Sequence, residues 1–256
     1  MGIVTRLPLR QAGDSVYLCM MIVISILAAL LALYALWERL TGNTYHGLYF
    51  GKSKILEKGT AIPFGGNVFM NYWVVKKAQF SSKESQKNDA NLLAAFLMKW
   101  IQEGRIGVLP DAKLNFGPES PFDDATEAEF YRAFAQTGGE HLNPGIGSIT
   151  ARAQKRGEEL LAAQGSLDKD KHPVPEQYPR MRQVIELRNF LKDIDRADLP
   201  WEDYLVTAVL LGCGVPMRSR VPASLSVGLD AVIQMAAYFE EAYRNESMSN
   251  WYQSNG

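Results

Sequence analysis

The chain has 256 residues, 47% hydrophobic and 21% charged, values that suit a folded protein and exclude wholesale disorder. Its 27 basic and 28 acidic side chains leave a net charge of -1, so no whole-chain field draws it to nucleic acid or anionic lipid. Two cysteines, Cys19 and Cys213, exclude a disulfide framework, and a reducing compartment is expected for the soluble part.

From Ser15 to Trp37 there is no charged residue, and Asp14 and Glu38 bracket the run. At about 1.5 Å per residue it makes about 34 Å of helix, slightly more than a hydrocarbon core. Tyr17, Tyr34 and Trp37 stand near its ends, where amphipathic aromatics settle at headgroup level. Uncharged runs of this length are rare in soluble cores, and Ala35–Glu38 lacks a small-x-small cleavage pattern. The expectation is an uncleaved single-pass anchor rather than a buried helix or a signal peptide. Arg6 and Arg10 precede the run, whereas Arg39, Lys52, Lys54 and Lys58 follow it, a bias that puts the C-terminal side in the cytoplasm. Within it, Ser25, Ala28, Ala29 and Ala32 supply small residues for close helix pairing. The fold class expected is mainly α, with one transmembrane helix and a cytoplasmic helical domain containing a small winged-helix-like β-hairpin. The expected organisation is a short extracytoplasmic tail (1–14), the transmembrane helix (15–37), a juxtamembrane linker (38–63), the helical domain (64–244) and a flexible tail (245–256).

Residues 41–63 are rich in Gly, Thr and Lys and read as an irregular connection. Asn67–Val75 is a largely apolar stretch, with Val68, Phe69, Met70, Tyr72, Trp73, Val74 and Val75, and periodicity does not separate strand from helix there. Gln79–Asn88 is polar and reads as a break. Asn88 or Asp89 then caps a helix with Leu93, Phe96, Leu97, Trp100 and Ile101 on one face, which Gly104 ends. Ile106–Leu109 and Lys113–Phe116 flank a Pro110-Asp111 turn and predict a β-hairpin. Helix followed by hairpin is the ending of a winged-helix unit and also a common packing arrangement. Thr126 and Glu129 have capping-box spacing and open a helix with Phe130, Tyr131 and Phe134 inward, stopped at Gly138-Gly139.

A further helix is expected over Ile149–Ala163, then a loop over Asp168–Pro179. Arg180–Ile194 carries Val184, Leu187, Leu191 and Ile194 on one stripe. Pro200 opens a helix over Trp201–Leu211, which Gly212, Gly214 and Pro216 end. Leu225, Leu229, Val232, Ile233 and Ala236 mark a last helix, and the end frays from Asn245.

Two blocks carry a resemblance. The first is Ile62-Pro63 followed by Leu93-Ala94-Ala95-Phe96-Leu97-Met98-Lys99-Trp100-Ile101 and Gly104-Arg105-Ile106. The second is Leu187-Arg188-Asn189-Phe190-Leu191-Lys192-Asp193, then Trp201-Glu202-Asp203-Tyr204-Leu205 and Leu210-Leu211-Gly212. Over roughly 46–217 the chain resembles the cytoplasmic region of the YciQ-like membrane proteins, the domain of unknown function family 2207. The resemblance implies a bacterial cell-membrane protein with a cytoplasmic C-terminal region, and it brings no activity. Members carry an extracytoplasmic β-rich domain ahead of the membrane. Here about fourteen residues precede the span, so an outward-facing role is not expected.

No catalytic, cofactor or metal site is read from the sequence, and no cofactor is expected. His46, His141 and His172 lack zinc spacing. Cys213 lies between two glycines with no base indicated, and reads as a small packing residue. Gly145-Ile146-Gly147 lacks the third glycine of a dinucleotide turn. Asp123, Asp124, Glu127 and Glu129 read as solvated acids at a helix N-terminus. Lys76, Lys77, Lys83, Lys87, Lys99 and Arg105 make the neighbourhood of the first soluble helix basic, for which solvation, phosphate contact and lipid contact are open readings. Trp201 with Tyr204 reads as core. Asn245-Glu246-Ser247 matches a glycosylation acceptor that a cytoplasmic tail would never offer to that machinery.

The expected partners are the lipid bilayer, through Ser15–Trp37, and a protein. No small-molecule substrate or nucleic acid is expected. The function expected is a membrane-anchored, non-enzymatic protein-interaction module. Its alternatives are a membrane-tethered winged-helix nucleic-acid-binding regulator, a subunit of an envelope or transport complex, and an enzyme whose site assembles only in three dimensions.

Overall fold

The computed structural model describes residues 20–34, 49–52, 54–78, 82–110, 113–138, 145–194 and 199–255. The chain divides into two compact units, 1–44 and 45–256.

In the first unit, residues 20–34 are helical and every one is exposed, including Met20, Ile22, Ile24, Leu27, Leu30 and Leu31. The remainder of the expected span, 15–19 and 35–37, lies outside the described residues, as does the tail 1–14. Fifteen residues make about 22 Å of helix. Among the described residues no helix is long and apolar enough to cross a membrane.

The second unit is mainly α with one small antiparallel hairpin. Two central helices form its middle. The apolar stretch that periodicity could not assign is a helix, α1 (Val68–Ala78), buried on every side from Val68 to Val75. Apolar residues all round a helix mean a core element. Asn67 caps it, its Oδ1 accepting from Met70 N at 3.0 Å. The second, α2 (Ser82–Gln102), starts six residues before the expected cap at Asn88. Asn88 and Asp89 are not caps. They lie inside the helix and are buried, because Asp89 faces a hydroxyl and an ammonium from α1. From Asn88 to Met98 every residue of α2 is buried.

Gly104 ends α2 as expected, at φ 70°, with Arg105 N bonded to Trp100 O at 2.8 Å and Gly104 N to Ile101 O at 3.0 Å. The expected hairpin follows as β1 (Ile106–Val108) and β2 (Leu114–Phe116), pairing Ile106 with Phe116 and Val108 with Leu114. The Tyr131 hydroxyl closes its base, 3.0 Å from the Arg105 carbonyl and 2.8 Å from that of Gly117.

Helix α3 (Ala125–Ala135) opens on Asp124, not on the Thr126–Glu129 box. Asp124 is extended, and its Oδ1 accepts from Thr126 N at 2.9 Å and Glu127 N at 3.2 Å. Glu129 instead pairs with Arg152 at 2.6 Å. Helix α4 (Ile146–Ala163) begins three residues early, with Gly145 at its N-cap. It packs against α1 so closely that a Cβ on Gly157 would stand 2.3 Å from Phe69 O. Helix α5 (Tyr178–Lys192) takes Pro179 into its first turn. Helix α6 (Trp201–Leu210) follows Pro200 as expected, and Trp201 and Tyr204 are core. Gly214 and Pro216 do not simply end that segment; they build a short helix, α7 (Gly214–Met217). The last helix, α8 (Ala223–Asn255), packs along α2 and continues through Asn245, where a frayed end was expected.

Aromatic rings join the layers. Phe96 and Trp100 stack at 5.6 Å along α2, Trp100 meets Tyr131 of α3 at 5.1 Å, and Phe134 meets Phe239 of α8 at 5.7 Å. Of the linker expected over 38–63, residues 49–52 and 54–63 form a strap fixed to the domain. Phe50 and Ile55 enter the core. Arg182 donates to Phe50 O, Asn189 to Ile55 O and Glu57 O, and Tyr204 to Thr60 O, while Gly59 N bonds Glu186 O.

Candidate functional site

At least three concave regions flank α2, two of them of more than 400 Å³. The first is a polar cleft of about 410 Å³ between the turn Phe64–Gly66, the start of α1, the C-terminal end of α2 and the start of α3. Phe64 adopts φ 52°, a left-handed conformation that costs a residue bearing a Cβ of order 1–3 kcal/mol. The ring is buried and the Arg180 guanidinium stacks 4.7 Å from its centroid, contacts that hold the turn.

The cleft wall carries Lys99, Glu103, Arg105, Asp123, Asp124 and Glu127. Glu127 was expected to be solvated but is 7% exposed. It accepts from Trp100 Nε1 at 3.0 Å and from the Lys99 ammonium. Lys99 also meets Glu103 at 2.9 Å. Burial opposes charge on Lys99, but hydrogen bonds to Glu103 and Glu127 outweigh it and raise its pKa above the ordinary lysine value. Burial likewise opposes charge on Glu103, and hydrogen bonds from Lys99 and Arg105 outweigh it and lower its pKa. Asp124 caps α3 and pairs with Arg156 at 2.8 Å. Arg105 lies 3.9 Å over the Phe122 ring and donates to Pro121 O at 2.9 Å, clasping the loop before α3. Three of the four carboxylates are thus neutralised by cations in place, and Asp123 stands exposed at the rim.

The second region is an apolar groove of about 430 Å³ between α2, the α6–α7 turn and α8. Ala90, Gly212, Gly214, Ala236 and Ala237 line it, with Val209, Val215 and Ile233 between them. Lys87 and Glu240 stand at its mouth, and Arg244 approaches Glu240 at 3.6 Å. Small side chains on three elements leave the room. Gly212 is held at φ 71°, and a Cβ there would stand 2.9 Å from Asn91 Nδ2. Cys213 lies behind this turn, fully buried, and burial pushes its thiol up to about 11 against the opposing charges of Arg188, Lys192 and Lys87. A thiol held protonated in the core is not a nucleophile at neutral pH.

The remaining sequence candidates do not assemble. His172 is exposed on the loop before α5, and His46, His141 and Cys19 lie outside the described residues. Gly145 and Gly147 begin α4. The six-residue basic patch is dispersed: Lys87 and Lys99 are twelve residues apart on α2, about 18 Å. Lys76, Lys99 and Arg105 are each paired with carboxylates, and Lys77 lies 5.2 Å over the Trp73 ring. Among the described residues no group of histidines, cysteines and carboxylates could hold a metal ion.

Sequence reasoning missed a buried polar network joining α1 and α2. Tyr72 donates to Asp89 Oδ1 at 2.6 Å, Lys76 donates to the same oxygen at 2.9 Å, and Lys76 reaches Ser85 Oγ at 2.7 Å. Burial, then the Asp89 charge and hydrogen bond, hold the Tyr72 phenol protonated well above its ordinary range. The signal was present: Asp89 shares the inward stripe of Leu93, Phe96 and Trp100, where a carboxylate needs a partner. No protein-family model, curated protein or solved structure matches this chain.

Proposed function

We propose that the chain is a membrane-anchored protein of the YciQ-like kind, whose helical domain is a non-enzymatic module that docks a protein partner. Ser15–Trp37 is the single transmembrane helix, and the domain after it faces the cytoplasm. One observation carries the anchor: residues 20–34 form a helix whose side chains are apolar apart from Ser25, all of them exposed. So large an apolar surface has to be covered, and lipid covers it without demanding a shaped partner.

The groove beside α8 supports the docking role. Its apolar lining and charged mouth suit the inserted side chains of a partner helix. The polar cleft offers less to chemistry, because most of its carboxylates already hold cations. Burial of α2 from Asn88 to Met98 favours protein over nucleic acid, since a recognition helix needs a free face for the major groove. The helix–hairpin order is then a packing arrangement rather than a winged helix.

The test is a photo-crosslinker at Val215 in native membranes, with Ala236→Arg filling the groove as the control. A single adduct that disappears in the Ala236→Arg chain is expected. Adducts unchanged by the filled groove would refute docking there. Extraction of the chain by alkaline carbonate would refute the anchor.

A further inference from the structure

We infer that the strap, at Lys52 and residues 54–58, is a second membrane contact, an outward patch that docks on anionic lipid headgroups. A lone exposed leucine is ordinary on a protein surface. Leu56 differs in three respects. It is 70% exposed, the most exposed of the large hydrophobic residues described. It is flanked by Lys52, Lys54 and Lys58, all exposed, so three lysines face one glutamate over seven residues. And it is held outward by the strap's attachment to the domain.

That attachment is specific. The carbonyls of Phe50, Ile55, Glu57 and Thr60 accept from side chains of α5 and α6, and Gly59 N bonds the α5 backbone. Ile55 points into the core while Leu56 points away from it. Backbone groups satisfied on the inner side leave an outer side of one apolar wedge among lysine stems. Such stems lie along apolar surface while their ammonium heads reach phosphates. Glu57 offsets Lys52 and Asp193 offsets Lys58 at 2.9 Å, both in exposed ion pairs that water screens, so the patch keeps a net positive charge of about one beside Leu56. Each net positive charge near an anionic leaflet strengthens partition by about fivefold, so the patch gains about fivefold from its charge in addition to the burial of Leu56.

The proposal rests on the anchored reading for its geometry. Eighteen residues from Tyr34 to Lys52 span at most about 63 Å, so a chain anchored by its N-terminal helix keeps the strap within reach of the same leaflet.

The experiment uses the full chain carrying Cys19→Ser and Leu56→Cys, labelled at the introduced thiol with an environment-sensitive nitrobenzoxadiazole dye. Cys213 is buried and stays unlabelled. The chain is placed with vesicles of phosphatidylcholine, or of phosphatidylcholine with phosphatidylglycerol. A blue shift and protection from an aqueous quencher are expected on the anionic vesicles alone. High salt, or Lys52→Gln with Lys54→Gln and Lys58→Gln, is expected to abolish both. No shift on anionic vesicles, the same shift on neutral ones, or a shift that survives loss of the lysines would overturn the proposal. Flotation separates the two readings. A chain that floats with neutral vesicles but shows no shift keeps the anchor and loses the patch. One that floats and shifts only with anionic vesicles keeps the patch and loses the anchor.

Discussion

Replacing Asp89 by alanine should unfold the domain at a markedly lower temperature, and the structure sets the size of the effect. The Asp89 side chain is 2% exposed and the Lys76 side chain 14%. Removing one partner of a buried ion pair costs about 3–5 kcal/mol, because the other charge stays buried. Lys76 keeps Ser85 Oγ at 2.7 Å and some contact with water, which places the loss near the lower end, about 3 kcal/mol. In a domain of this size each kcal/mol shifts Tm by about 2–4 °C, so a fall of about 6–12 °C is expected. Asp89→Asn keeps an acceptor for the Tyr72 hydroxyl and loses only the charge, so its fall should be roughly half as large. The triple change Tyr72→Phe, Lys76→Met and Asp89→Leu removes every polar group together and should recover most of the loss. Far-ultraviolet circular dichroism against temperature reads all three. A Tm for Asp89→Ala within about 2 °C of the parent chain would refute the reasoning, as would a triple variant no more stable than the single one.

Three further changes probe other parts of the molecule. Gly157→Ala must push α4 off the Phe69 carbonyl, and about 3 kcal/mol of strain less about 1 kcal/mol of helix propensity leaves a net loss of about 2 kcal/mol in denaturant titration. Glu127→Ala strands the buried Trp100 indole N–H and the Lys99 ammonium and should cost about 2 kcal/mol by the same measurement, whereas Glu127→Gln should cost less by keeping an acceptor for the indole. Cys213 should react with a thiol reagent at neutral pH only as fast as the domain opens. Its folded pKa, about 11, is above the unfolded value of 9.0, so the unfolded thiol ionises first and stability should fall as pH rises between those values. Reaction of Cys213 at the rate of a free thiol in the native chain would contradict its burial.

The elements read correctly from sequence were those whose two sides differ. Helices α3 and α5 show a clear apolar stripe, and the hairpin shows a turn between short apolar runs. The signal failed where both sides are buried. In α1, Val68 to Val75 carries no period because every direction faces core, so strand and helix could not be separated. At the start of α2, the polar run Gln79–Asn88 looked like a break and Asp89 like a cap, and only a lysine and a tyrosine contributed by α1 make that carboxylate tolerable inside. The acids before α3 posed the same problem. A helix N-terminus favours acidic residues in general, and nothing local reveals that Glu127 turns inward to Trp100 while Glu129 turns outward to Arg152.

The strap shows a different limit, and it bears most directly on function. Its glycines, threonine and lysines have the composition of a flexible tether, and composition alone predicts one. What fixes the segment is supplied from more than a hundred residues away, by Arg182, Asn189 and Tyr204, each donating to a strap carbonyl. Asn189 lies in one conspicuous block of the sequence and Tyr204 in the segment just after it. Both residues therefore serve the packing of the strap against α5 and α6. Two surfaces of the domain open to other molecules are the groove by α8 and the outer side of the strap. One is an apolar groove, the other an exposed leucine among lysines. That contrast favours two different partners, a protein for the groove and a lipid surface for the strap.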